Sequence, residues 1–232
     1  MLNPLKLVQS LLLKVRKKES YKELQQTLLL YPSENLLLAL DSQNKKLAFW
    51  INAYNAYYQI VVRENPSLPD NRNALYKQRH FAISNNELSL DQVEHGILRR
   101  RKFKYSLGYL PSLFDTDFVK QHQAEKLDFR IHFALNCGAK SCPSIAFYTA
   151  ENIEQELEMA TQSFLEQESD FDETINTVHV SKILFWYLGD FGGKAGIRKL
   201  LKKYQIIPQT ARPKIKFKDY NWELDLENYS GF

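Results

Sequence analysis

With 232 residues, 44% of them hydrophobic and 13% aromatic, the chain can bury a core that needs neither metal nor disulfide to hold it, and a charged fraction of 25% excludes wholesale disorder. A formal net charge of +4 is too mild to imply nucleic acid as the partner. No apolar stretch is long enough for a membrane span or shaped like the centre of a signal peptide, so a cytoplasmic protein without a transmembrane segment is expected.

Leu5, Leu7, Val8, Leu11, Leu12 and Val15 recur at helical spacing and predict an amphipathic helix. A second helix is expected over 20–30, with Ser20 and Glu23 as a capping box, and a short third from Ser33 to Leu40. Lys45 to Asn65 is the strongest helix. Its apolar residues leave almost no polar face, which marks it as central, and Pro66 and Pro69 stop it. Phe81 to Ile83 reads as a strand with a turn at 84–87. Ser89 is placed to cap a helix running through Val93 and Leu98. Phe129 to Leu135 alternates too little to be half exposed and predicts a buried strand, followed by a loop at 136–144. A helix over 149–166 capped by Thr149, a strand at Thr177–Val180, helices at 182–188 and 195–204, and a strand at Ile215–Phe217 complete the chain. Together these predict an α+β fold, one helix-rich domain around a small, mainly antiparallel sheet. Residues 1–44 are expected to form a helical N-terminal extension packed on an α+β domain of residues 45–232.

Reactive side chains gather in one stretch, from Arg130 to Pro143. His132 would share a strand face with Ala134 and Asn136, and Cys137 and Cys142 follow in the loop. Two cysteines are too few for a secreted disulfide framework or a four-cysteine zinc site. A helical turn starting at Pro143 would place Cys142 at its N-cap, where the free N–H groups favour a thiolate, with a nearby histidine as base. Against this stands simple packing, since free cysteine is often just buried, and a reversible Cys137–Cys142 disulfide is a third option. Glu94 and His95 form a second constellation. As helix neighbours they should point about 100° apart, so that one faces the cysteines and the other does not. Asn52 and Asn55, three apart on the central helix, are expected to pin the backbone of the 136–143 loop. Asn136 and Ser141 are further loop-supporting or substrate-binding candidates. No phosphate loop, dinucleotide fingerprint or metal-ligand spacing is present, so neither cofactor nor metal is expected.

Lys46 to Ala56, Leu88 to Arg99 and Asp128 to Pro143 resemble the domain of unknown function family 547. Ser181–Lys182–Ile183, Asp190–Phe191–Gly192 and Tyr220–Asn221–Trp222 also look like that family, with Asn221 where an Asp is the family's residue. The resemblance implies similarity to thiol hydrolases of the papain and transglutaminase type, in which a cysteine at a helix start meets a histidine on a strand. Carried over by motif, the catalytic candidates are Glu94, His95, His132, Cys137 and Cys142, with the pairing of histidine to thiol left open. The expected function is a cysteine-dependent hydrolase or acyltransferase on an amide, peptide or thioester bond. Cys142 would be nucleophile, His132 base, Glu94 the orienting group, and Cys137 and His95 the reserves. A peptide-like or thiol-containing small molecule would be the substrate. Two alternatives stand beside it: an adaptor using the basic runs Arg99–Lys104 and Lys194–Lys218, and a Cys137–Cys142 redox switch.

Overall fold

The computed structural model describes residues 2–113 and 115–230. Helix α1 (Pro4–Arg16) starts where Asn3 Oδ1 accepts the Leu5 N–H at 2.9 Å and Pro4 fills a first-turn position that needs no donor. Leu7, Val8, Leu11, Leu12 and Val15 form its buried stripe, laid along α4. Helices α2 (Lys22–Leu29) and α3 (Ser33–Ala39) follow. The capping box expected at Ser20 does not form, because α2 begins two residues later without a side-chain cap.

Helix α4 (Gln43–Glu64) is the axis of the molecule, and every residue from Leu47 to Val62 is buried. Each large apolar side chain removed from water there contributes about 1.5–3 kcal/mol. Asn52 and Asn55, also buried, face neighbouring backbone. Asn55 Nδ2 donates to Ala134 O at 2.9 Å and its Oδ1 accepts the Asn136 N–H at 2.9 Å. Asn52 does the same for a different segment, bonding both backbone groups of Tyr148 at 2.7 and 3.1 Å. Of the two, only Asn55 pins the start of the cysteine loop, since one helical step carries Asn52 past it.

After a 3₁₀ turn (Leu68–Asp70) and α5 (Arg72–Lys77), strands β1 (Phe81–Ile83) and β2 (Asn86–Leu88) form an antiparallel hairpin. Ser84 and Asn85 both take positive φ, +52° and +57°, as the two-residue turn matching strand twist requires. The segment Gln92–Leu98 winds as a π-helix: Arg99 N–H bonds Glu94 O and Arg101 N–H bonds Gly96 O, both at 2.8 Å and five residues apart. Ser89 and Gln92 cap its approach reciprocally.

Helix α6 (Asp117–His122) leads to Phe129–Phe133, which is a 3₁₀ turn rather than the expected strand. Asp128 Oδ1 accepts the Arg130 N–H at 3.0 Å and nucleates helical winding. A continuous apolar run does not by itself distinguish a strand from a buried helical turn. Helix α7 (Ile153–Glu168) follows, with Thr149 capping the Asn152 N–H and held in turn by Glu156.

Strands β3 (Asp170–Asp172), β4 (Thr177–Val180) and β5 (Lys214–Phe217) form the second sheet, in the order β3-β4-β5, antiparallel then parallel. Helices α8 (Ile183–Trp186) and α9 (Gly193–Lys203) make the crossover from β4 to β5. This part has its own apolar cluster, separate from the one around α4. The 129–133 turn lies at the seam: Ile131 belongs to the α4 cluster and Phe133 to the other. His132 is therefore held between two cores. The segment 219–230 returns across the cysteine loop, with backbone bonds from Lys140 to Glu223, Ser141 to Asn221 and Asp225 to Gly138.

Candidate active site

A cleft of about 480 Å³ opens along the seam between the two cores. Glu94, His95, His132, Cys137 and Cys142 all line it, so the five catalytic candidates meet in one place. Asn55, Asn136 and Ser141 stand behind the wall. Asn136 Nδ2 donates to Pro143 O and its Oδ1 accepts the Gly138 N–H, both at 2.7 Å, so one side chain ties the two ends of the cysteine loop. Ser141 Oγ accepts the Asn221 N–H at 2.9 Å and anchors the returning segment. Gly138 sits at φ +71°, and a Cβ there would lie 2.6 Å from the Tyr58 ring, so this turn requires glycine.

Cys137 and Cys142 are joined as a disulfide with a Cα–Cα distance of 6.0 Å. The expected helical turn at Pro143 is absent: residues 143–148 carry no helical winding, and Ile145 bridges Tyr229. The donors at the Cys142 sulfur come from elsewhere. The Cys137 N–H lies 2.9 Å away and the Tyr220 hydroxyl 3.0 Å away, the latter also 3.1 Å from the Cys137 sulfur.

Glu94 and His95 do not face apart. In the π-wound segment both line the cleft, with Glu94 Oε1 3.6 Å from His95 Nδ1. Tyr187 donates to Glu94 Oε1 at 2.5 Å and Tyr54 to Oε2 at 3.3 Å. Burial pushes the Glu94 carboxyl upward, but His95, the Tyr187 hydroxyl and Arg99 outweigh it and leave the group below its ordinary value. Burial raises both tyrosines well above theirs, so they remain donors.

Arg99 Nη1 lies 2.9 Å from His95 Nδ1. A guanidinium only donates, so Nδ1 is the acceptor and the His95 proton sits on Nε2. Arg99 Nε donates to Asp190 Oδ2 at 2.7 Å, and the same oxygen accepts from His132 Nε2 at 2.9 Å. With the Asp190 carboxylate fixing a proton on Nε2, the free lone pair of a neutral His132 is at Nδ1, which has no partner among the described residues. The His132 ring stacks on Tyr187 at 3.8 Å and 14°. Burial pushes Asp190 up, but the hydrogen bonds from His132 and Arg99 reverse this and hold it below the usual carboxylate range. His132 moves the other way: burial lowers it and Asp190 only partly restores it.

Sequence reasoning missed five of these groups as site residues, among them Tyr54, which lies inside the helix predicted as central. Arg99 was assigned to a basic surface run, yet it is fully buried, four residues from His95 and on its side of the helix. Of the rest of that run, Arg101 is paired with Asp115 and Lys104 with Asp91. Asp190, Tyr187 and Tyr220 lie more than fifty residues from His132 in sequence, and the only signal for them is their place in or beside the late motifs. Among the described residues no group of three His, Cys, Asp or Glu is arranged to hold a metal, and no helix is long and apolar enough to cross a membrane.

Three buried histidines, His95, His122 and His132, are each pushed below their ordinary pKa, chiefly by burial. Such a group binds its proton first in the unfolded chain, so stability falls as pH drops through the unfolded value near 6.5. Urea midpoints are expected to decline steadily from pH 7.5 to pH 5.5. A midpoint that stays level over that range would show that these rings are not held neutral.

Fold and site define a helix-rich α+β protein with a cysteine pair and two histidines on one cleft. The model of the family described as protein of unknown function, DUF547, matches residues 38–165, more than half of the chain, and the chain belongs to that family. No curated protein matches it, and no solved structure does. The matched span holds Glu94, His95, His132 and both cysteines. Asp190, Tyr220 and the other late motifs lie beyond it.

Proposed function

We propose that the chain is a cysteine-dependent hydrolase or acyltransferase, acting in its dithiol form in the cytoplasm on an amide, peptide or thioester bond. The observation that carries this is the convergence of both cysteines and His132 on one cleft, with the imidazole fixed by a buried carboxylate. Cys142 is the nucleophile, since a backbone N–H and a tyrosine hydroxyl lie within reach of its sulfur and would stabilise a thiolate. His132 is the base through Nδ1. Asp190 takes the orienting role first given to Glu94, which instead stands beside His95, while Cys137 holds the nucleophile in reserve as a disulfide. The kinship with papain-type and transglutaminase-type hydrolases is one of roles, because neither cysteine heads a helix and His132 lies on a 3₁₀ turn.

The chemistry follows from these placements. A cellular dithiol reduces the disulfide, supplying two electrons and two protons. The Cys142 proton passes to His132 and the thiolate adds to the substrate carbonyl. The tetrahedral adduct collapses as the leaving amine or thiolate takes the proton back, giving an acyl-thioester. Water or an acceptor nucleophile then releases the acyl group. A peptide-like or thiol-containing small molecule fits this sequence of steps.

On reduced protein, iodoacetamide is expected to label Cys142 well before Cys137 near neutral pH, as peptide mass mapping would show. Equal and slow labelling of both, only after unfolding, would remove the hydrolase. The disulfide itself favours a second reading, a redox switch without turnover. That reading predicts a reversible change in mass and partner binding with no acyl-thioester on Cys142 under any substrate. The adaptor alternative draws least from the geometry, since much of the basic run at 99–104 is buried or ion-paired.

A further inference from the structure

The cleft carries a cation, Arg72, that no acidic group among the described residues neutralises. Arg72 lines the cleft, and its guanidinium carbon stands 3.5 Å from the centroid of the Trp222 ring. Trp222 in turn packs on Trp186 at 5.5 Å and on Tyr220 at 4.5 Å, and the Tyr220 hydroxyl reaches both sulfurs. The cation, the aromatic wall and the sulfurs thus form one continuous surface.

The other charges of the cleft are already engaged. Lys104 donates to both carboxylate oxygens of Asp91 at 2.7 and 3.0 Å, Arg99 is held by Asp190, and Glu94 is held by Tyr187 and Tyr54. Arg72 makes no ion pair among the described residues. A guanidinium stacked face-on to an indole keeps its in-plane N–H groups free, and their fork matches a carboxylate. Asn73, the next residue, lines the same wall and adds an amide. The positive charge is felt at Tyr220, where it opposes the upward push of burial.

We infer that the substrate carries a free carboxylate next to an aromatic or other planar apolar group. The carboxylate would sit in the fork of Arg72, the ring against Trp186 and Trp222, and the acyl carbon toward Cys142. This rests on the active-site reading above. N-acylated aromatic amino acids, and peptides ending in one with a free C-terminus, have this shape.

The test uses two probes that differ only in charge, N-acetylphenylalanine and its C-terminal amide, titrated against the reduced Cys142→Ser protein by tryptophan fluorescence. The carboxylate is expected to bind at least about tenfold more tightly than the amide, and Arg72→Gln should erase the difference. Arg72 is exposed, so that variant is not expected to disturb the fold. Equal binding of the two probes, binding of neither, or a preference that survives in Arg72→Gln overturns the inference. Because the nucleophile is absent, the outcome is independent of catalysis: a carboxylate preference with unreactive cysteines would leave a binding site and remove the enzyme. A reactive Cys142 without the preference would do the reverse.

Discussion

Asp190→Asn is expected to lower the free energy of unfolding by about 3–5 kcal/mol, the usual cost of removing one member of a buried ion pair. Both side chains are fully buried, and Asp190 Oδ2 receives Arg99 Nε and His132 Nε2 together. Asparagine keeps the shape but leaves the guanidinium without the carboxylate it pairs with directly. Since domains of ordinary stability hold about 5–15 kcal/mol in all, this is a large fraction. Urea denaturation at pH 7.5 measures it. The double variant Arg99→Met with Asp190→Leu is expected to lose much less than the sum of the single losses, because neither member of the pair is left as a lone buried charge. A single-variant loss below about 1 kcal/mol would mean that water or another group solvates Arg99.

His132→Gln should slow acyl transfer, and with it alkylation of Cys142 at pH 7, by about 10²–10⁴-fold, the range for a positioned general base. Glutamine can still donate to Asp190, so the 2.9 Å bond that holds the turn has a substitute while the base is lost. The pH profile separates this from a structural effect. Burial places the folded pKa of His132 below its ordinary 6.5, so the base form prevails at neutral pH and the native rate should fall only as pH drops below that value. The variant should lose this inflection altogether. If its rate falls but the inflection remains where it was, another group is the base, and His95 is the next to test.

The local parts of this fold were legible because their causes are local. Apolar spacing defines the stripe of α1, and the unbroken apolar stretch of α4 declares it central. Strands β4 and β5 were recognised from short β-branched and aromatic runs. The reading failed at 129–133, where hydrophobicity reports burial and says nothing of winding. It failed again at Pro143, where the returning segment 219–230 offers strand-like partners in place of a helical turn. Glu94 and His95 are about 100° apart on an α-helix, which put only one of them toward the cysteines, whereas in the π-wound segment 92–98 both line the cleft.

From its residues alone, then, this protein's class, its central helix and five of the side chains that line its cleft were within reach, since composition and short-range spacing carry that information. The charge state of the site was decided by tertiary structure. Arg99 reads as a surface cation until Asp190, ninety-one residues away, meets it between two apolar cores. The tautomers of both cleft histidines follow from that meeting, because a proton's position depends on which donor or acceptor lies within 3 Å, and packing brings those partners from distant parts of the chain.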